Sequence, residues 1–314
     1  MEIHITQLMY DFFDASLEST LLNGMAKVML VLSALIGTFW LLHMTLRSIY
    51  WLFQGMNTIF QEVVFEIAKV AFICSCAFNL QWYWTTIVPF VTGFPSWMGG
   101  VLSGQEGSQM NQIDSMVATY LDNLMQLYDV WKINIWDVDL KTLYLGAQAI
   151  VIYLVAGVPF MLTVSGTLIV LKAASTAILA VGPLLIAFSL FSQTRHWFWG
   201  WVSLLAGFML TQVLFSMVMA LEMSFINGNI IKNGVIDTSL AGNFTMFLCF
   251  SAFTVLAVEL PNYGASIMGG SPVAATGISG LLSKGTGIHA AMNGARGAKQ
   301  LIDKAKVWRR NRIN

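Results

Sequence analysis

The sequence predicts an all-α integral membrane protein. It has about five transmembrane helices, a re-entrant or kinked Gly-Pro segment and two amphipathic helices outside the bilayer. Three observations lead there. First, 57% of the 314 residues are apolar and only 10% are charged, whereas about a quarter of a soluble domain is charged. So few charges could not cover a globule of this size, but lipid can face the excess apolar side chains. Second, apolar runs recur at the length needed to cross a hydrocarbon layer of ~30 Å, about 20 helical residues. Third, the net charge of zero hides a strong segregation of acids from bases along the chain.

In order, residues 1–25 read as an amphipathic helix. Ile5, Leu8, Met9, Phe12, Phe13 and Leu17 recur at helical spacing, with acids opposite. A lipid-surface helix usually carries Lys and Arg on its polar face; this one is acidic, so docking on protein has at least as strong a claim as lying on lipid. The first 26 residues hold Glu2, Asp11, Asp14 and Glu18 and no Lys or Arg. A cleavable signal needs a basic start, so insertion through the first span is expected. Residues 26–90 hold two spans: Ala26 to Leu46, ended by Arg47, and Val64 to Val88, closed by Trp82, Tyr83 and Trp84 as an interfacial aromatic cluster. Residues 91–141 read as an acidic loop. Within it, Ile113, Val117, Leu121, Leu124 and Tyr128 form the apolar docking face of a second amphipathic helix, opposite Asp114, Asp122 and Asp129. Residues 142–260 hold the remaining spans: Leu143 to Leu171, ended by Lys172, then Trp197 to Leu221, then Phe244 to Leu260, stopping before Pro261. Between the first two lies the segment 173–191, broken at Gly182-Pro183. Residues 261–314 form a Gly/Ala-rich tail carrying half of the chain's 16 basic residues.

Basic residues flanking spans stay on the cytoplasmic side. That rule puts the acidic N-terminus and loop outside and Arg47 and the basic tail inside. An odd number of crossings is then required, so one of six apolar stretches does not cross. The Gly-Pro segment, lying between Lys172 and Arg195-His196, is the candidate. It is either re-entrant or a kinked extension of the third span; the alternative is a plain sixth span with a translocated tail. Irregular backbone at membrane depth needs protein or water around it, which suggests an oligomer interface or a pore beside it. Small residues such as Gly146, Ala149, Gly157, Gly166 and Ala177 would let helices approach closely.

Few residues point to chemistry. Glu66 and Lys69, at i and i+3, are a possible polar pair lining a conduit, or an interfacial pair with a snorkelling lysine. His43 and Arg47 read as headgroup contacts. Cys74, Cys76 and Cys249 read as reduced packing residues, and no metal framework is visible. Gly277-Ile278-Ser279-Gly280 matches the GxSG string of intramembrane serine proteases, but it lies outside the apolar spans, where the buried serine and its base would have to be. No phosphate-binding loop is present. The basic tail could bind anionic phospholipid at about 1 kcal/mol per basic residue.

One stretch carries a resemblance. A small-residue run from Ala177 leads to Gly182-Pro183-Leu184, then Phe191, Arg195 and Trp201 entering the next apolar run. This resembles the central signature of the TrbL-type, VirB-class polytopic inner-membrane subunit of type IV secretion and conjugation systems. The order of parts is similar too, although the outer loop is short for that family. The resemblance implies a non-enzymatic subunit without cofactor in the Gram-negative inner membrane. Its N-terminus would be periplasmic and its C-terminus cytoplasmic. It implies conduction of a DNA or protein substrate and support of pilus assembly. The implied partners are the minor and major pilins, the other inner-membrane secretion subunits, the secretion ATPases and further copies of the chain, in a ring of five. The alternative function is a secondary transporter or small-solute channel. Such transporters show matching helix breaks in two related halves, and only one Gly-Pro break stands out here.

Overall fold

The computed structural model describes residues 5–51, 56–104, 109–134, 140–232 and 235–269. The basic tail and the Gly277–Gly280 string lie outside the described residues. Helix α1 (Ile5–Ser19) runs through a π-helical turn (Thr20–Met25) into α2 (Ala26–Trp51). The sequence suggests two separate helices here, but they form one rod, of which Leu8–Ile49, 42 residues, is apolar enough to cross a membrane. At about 1.5 Å per residue that is roughly 63 Å, twice the hydrocarbon thickness. Nothing between Ser19 and Ala26 stops a helix: the one Gly and the polar side chains are absorbed by widening a single turn.

Helix α3 (Met56–Phe78) stops at Asn79, whose side chain accepts the Trp82 N–H at 3.0 Å and starts the three-residue α4 (Leu80–Trp82). A π turn (Tyr83–Ile87) leads into α5 (Val88–Ser103), which ends at Gly104 in the left-handed region, φ 68°. The chain bends by 70° at the Asn79 break. The second apolar stretch therefore does not finish at Val88, and residues 88–103, most of them expected in the outer loop, are helical. Nor is Tyr83 interfacial: it is fully buried, because its hydroxyl finds a carbonyl inside the protein.

After α6 (Gln109–Asn134), α7 (Leu140–Ile152) passes through a π turn (Tyr153–Gly157) into α8 (Val158–Ala180), followed by the short α9 (Gly182–Phe188). Lys172 does not end a span. It lies inside α8, and the helix carries on to Ala180 before the Gly-Pro break. The Gly-Pro segment is thus divided between the last turns of α8 and the kinked α9. Helix α10 (Arg195–Phe225) ends in a π turn (Ile226–Ile230) and a small antiparallel hairpin. Its strands are β1 (Ile231–Lys232) and β2 (Val235–Ile236), with Ile231 opposite Ile236. Ser239 caps α11 (Leu240–Ile267) by accepting the Gly242 N–H at 3.1 Å. This helix does not stop at Pro261 but runs through it to Ile267. Pro removes one hydrogen bond from a helix, and here Pro261 is buried in the bundle, so packing carries the helix across the gap.

The described residues thus contain four helices long and apolar enough to cross a membrane, and a fifth crossing if the bent α3–α5 pair is one span. Two apolar cores hold them. One joins α6, the 153–157 turn, α8, α10 and α11 around Tyr120, Tyr153, Phe160, Phe215 and Phe250. The other joins α1–α3, the 83–87 turn, α5, the end of α8, α9 and the start of α10 around Leu21, Tyr83, Leu179 and Trp201. The three cysteines are free, Cys76 and Cys249 in the cores and Cys74 half-buried.

Gly157 shows how tight the first core is. A Cβ there would lie 2.9 Å from the Tyr120 hydroxyl oxygen and 3.1 Å from its Cζ, whereas at Gly166 it would meet open space. Overpacking costs about 1–3 kcal/mol. Gly157→Ala is therefore expected to lower the thermal midpoint in detergent by several degrees, and Gly166→Ala to leave it unchanged. Equal midpoints for the two variants would mean that α6 does not dock in this way.

Candidate functional site: a Gly-Pro elbow and two buried polar clusters

The elbow between α8 and α9 is built from the stretch around Gly182 and Pro183. Pro183 has no N–H to return to the carbonyl four residues earlier, that of Leu179. The Tyr83 hydroxyl donates to that carbonyl at 2.8 Å, and the Trp201 indole N–H donates to the neighbouring Ile178 carbonyl at 3.1 Å. Gly182 is needed because both rings crowd it. A Cβ there would collide with the Tyr83 hydroxyl and come within 2.8 Å of Trp201 Cζ2. Gly182, Pro183 and Trp201 therefore meet at one point, with Leu184 packed beside it. Arg195 lies away from the elbow, at the start of α10.

Tyr83 belongs to a pattern that occurs twice in the chain. Tyr83 is followed by Val88-Pro89, and Tyr153 by Val158-Pro159, with four residues between Tyr and Val in each case. Both stretches form π turns, with the proline in the first turn of the next helix and the tyrosine buried. A ring with no N–H is accommodated by slipping the hydrogen-bond register one residue. Both tyrosines bond across to another helix. The Tyr153 hydroxyl donates to the Tyr120 carbonyl at 3.3 Å, and Tyr120 returns the bond to the Tyr153 carbonyl at 2.8 Å. Their rings stack 4.5 Å apart. Burial pushes the Tyr120 hydroxyl up to about 12, so it stays a neutral donor at any physiological pH.

Beside this stack lies Glu222 of α10, 1% exposed, with Oε2 unpartnered and a cavity of about 10 Å³ next to it, lined also by Asn123. The second polar cluster joins α1 to α8. Lys172 Nζ pairs with Asp14 Oδ1 at 2.7 Å and sits 5.2 Å from the centroid of the Tyr10 ring. Lys172 is 8% exposed, so its charge depends on that carboxylate. A cavity of about 190 Å³ adjoins the pair, lined also by Ser96, Ser175 and Gln212.

Glu66 and Lys69 pair at 3.2 Å, and Arg47 reaches Glu66 at 3.4 Å and Glu62 at 3.6 Å. This network joins the ends of α2 and α3. Ile113 is buried and Val117, Leu121 and Leu124 are half-buried against the chain's own core, while Tyr128 is exposed. The deepest stripe of α6 is rotated toward Ile113, Met116, Tyr120 and Leu127, because Tyr120 reaches Tyr153. Among the described residues no group of three or more His, Cys, Asp or Glu could hold a metal ion.

These features define a polytopic helical membrane protein whose polar residues tie helices together. The chain belongs to the TrbL/VirB6 family of plasmid conjugal transfer proteins, whose model matches residues 40–260, well over half of its length. The match takes in the elbow, both Tyr-Val-Pro turns and Glu222. No curated protein matches the chain. The family is one of type IV secretion and conjugation components.

Removing one partner of a buried pair leaves the other charge stranded. Because Asp14 is half exposed, Asp14→Ala is expected to cost about 1–3 kcal/mol, and Lys172→Met less, since it removes the buried charge itself. Thermal unfolding of both variants in detergent checks the order; a larger loss for Lys172→Met would show that the ammonium has another partner. Gly182→Ala is expected to unfold earlier than Tyr83→Phe, since it adds a clash where the latter only removes a bond.

Proposed function

We propose that the chain is an inner-membrane channel and assembly subunit of a Gram-negative type IV secretion system. It conducts DNA or protein substrate and supports pilus growth, without catalysing a reaction. The family match across residues 40–260 carries this reading. Its neighbours are the minor and major pilins, the other inner-membrane subunits and the secretion ATPases. The end bearing α1 and α6, with Asp11, Asp14, Asp114, Asp122 and Asp129, faces the periplasm; the end bearing Arg47, Lys69 and Arg195, with the basic tail, faces the cytoplasm.

The working form is a homo-oligomeric ring, with five copies. Support comes from the outer helices. Only 17% of the apolar window in Leu8–Ile49 is buried, against 56% in Arg195–Ile230. Leu30, Phe39, Phe60, Phe65 and Phe72 are all more than half exposed. Lipid or neighbouring copies can cover these faces. The Glu66–Lys69 pair lies at the cytoplasmic rim, where it braces α2 against α3.

Cysteine labelling tests the orientation. Ser108→Cys is expected to react with a periplasmic reagent, and Ser283→Cys only after the membrane is permeabilised. Affinity purification in mild detergent tests the role, with pilins and secretion ATPases expected to co-purify and deletion of the gene to abolish transfer. A lone monomer that moves a small solute in proteoliposomes would overturn the proposal.

A further inference from the structure

A groove of about 810 Å³ opens between α3, the 83–87 turn, α5 and the first half of α10. Its lining is almost wholly apolar. The charged residues among it are Lys69 and Arg195, both basic. Arg195 makes no ion pair among the described residues. Lys69 gives one contact to Glu66 at 3.2 Å, and an ammonium has three donors. From Arg195 the groove follows α10 as far as Met209, a rise of about 21 Å at 1.5 Å per residue. Trp82 and Trp199, 38% and 60% exposed, line it as well, and Trp favours the depth of lipid headgroups.

From these observations we infer that the groove is a specific site for an anionic phospholipid. The phosphate is held by Arg195 and Lys69, and one acyl chain lies along α10 toward Met209. Guanidinium and phosphate form paired, charge-assisted hydrogen bonds, and the elongated apolar wall matches a single chain. A second copy of this protein is the poorer occupant. Its apolar helices would press against Arg195, which has no ion pair among the described residues, and unpaired charge in an apolar contact is costly. The site requires only that the chain sit in a membrane; it does not rest on the secretion role.

Native mass spectrometry of the full-length protein released from nanodiscs reads this directly, independently of any transfer assay. In nanodiscs of mixed phosphatidylglycerol and phosphatidylcholine, the wild type is expected to retain one phosphatidylglycerol in preference. Arg195→Gln should weaken that retention by about fivefold, the effect of one basic residue near a headgroup, and leave phosphatidylcholine unchanged. Lys69→Gln gives a second reading of the same effect should Arg195→Gln insert poorly. Ala206→Trp, which fills the groove from α10, should displace both lipids. Equal retention of the two lipids, unaffected by either charge variant, overturns the site. So does a disulfide between Phe72→Cys in one copy and Met209→Cys in another, which would put a second chain in the groove.

Discussion

In hydrocarbon no water stands by to satisfy a backbone carbonyl, and every break in a membrane helix must be repaired from within the protein. The Tyr83–Leu179 hydrogen bond is that repair at the Gly-Pro elbow. It lets the chain turn out of α8 into α9 at depth. It also pins the Asn79 bend, since Tyr83 lies just beyond it, and the bend directs α5 along α10. Trp201 closes the same joint from the other side. The Gly182-Pro183 step is therefore a device of backbone repair: glycine leaves room for two aromatic rings, and proline frees the carbonyl that one of them takes.

The same logic is used a second time at the other core. Tyr153 precedes a Val-Pro step at the same spacing, and its hydroxyl also leaves its own helix. There the partner is α6, which the sequence places outside the bilayer. The reciprocal Tyr120–Tyr153 bonds and the stacked rings fasten this helix to the bundle, with Glu222 enclosed behind them. The two polar clusters and the two tyrosine joints thus lie where helices distant in sequence meet. They work as fasteners, the use to which buried polar groups are often put in membrane bundles.

Most of the helical inventory was legible in the residues because apolar runs of about twenty leave few alternatives in a bilayer. The signature around Gly182 and Pro183 was legible as a break. Of its partners, Trp201 was visible as part of the resemblance but not as a donor, and Tyr83 only as an interfacial aromatic, because a tyrosine within an apolar run looks the same whether it meets a headgroup or a carbonyl. Lys172 misled for a related reason: a lone lysine after an apolar run marks a span end unless an acid elsewhere in the chain reaches it, and Asp14 lies more than 150 residues away. Pro261 did not stop α11, since packing on α10 outweighs one lost hydrogen bond. The paired Tyr-Val-Pro steps could have been found by comparing the chain with itself.

The elbow also has a clock in it. Tyr83 and Leu179 are 96 residues apart. At a synthesis rate of about 5–20 residues per second, the hydroxyl is made roughly 5–20 seconds before its acceptor emerges. During that interval the nascent second span carries an unmatched phenol and an unfinished bend into a solvent that tolerates neither. The joint is thus closed late, only when the ribosome has delivered the residues around Leu179.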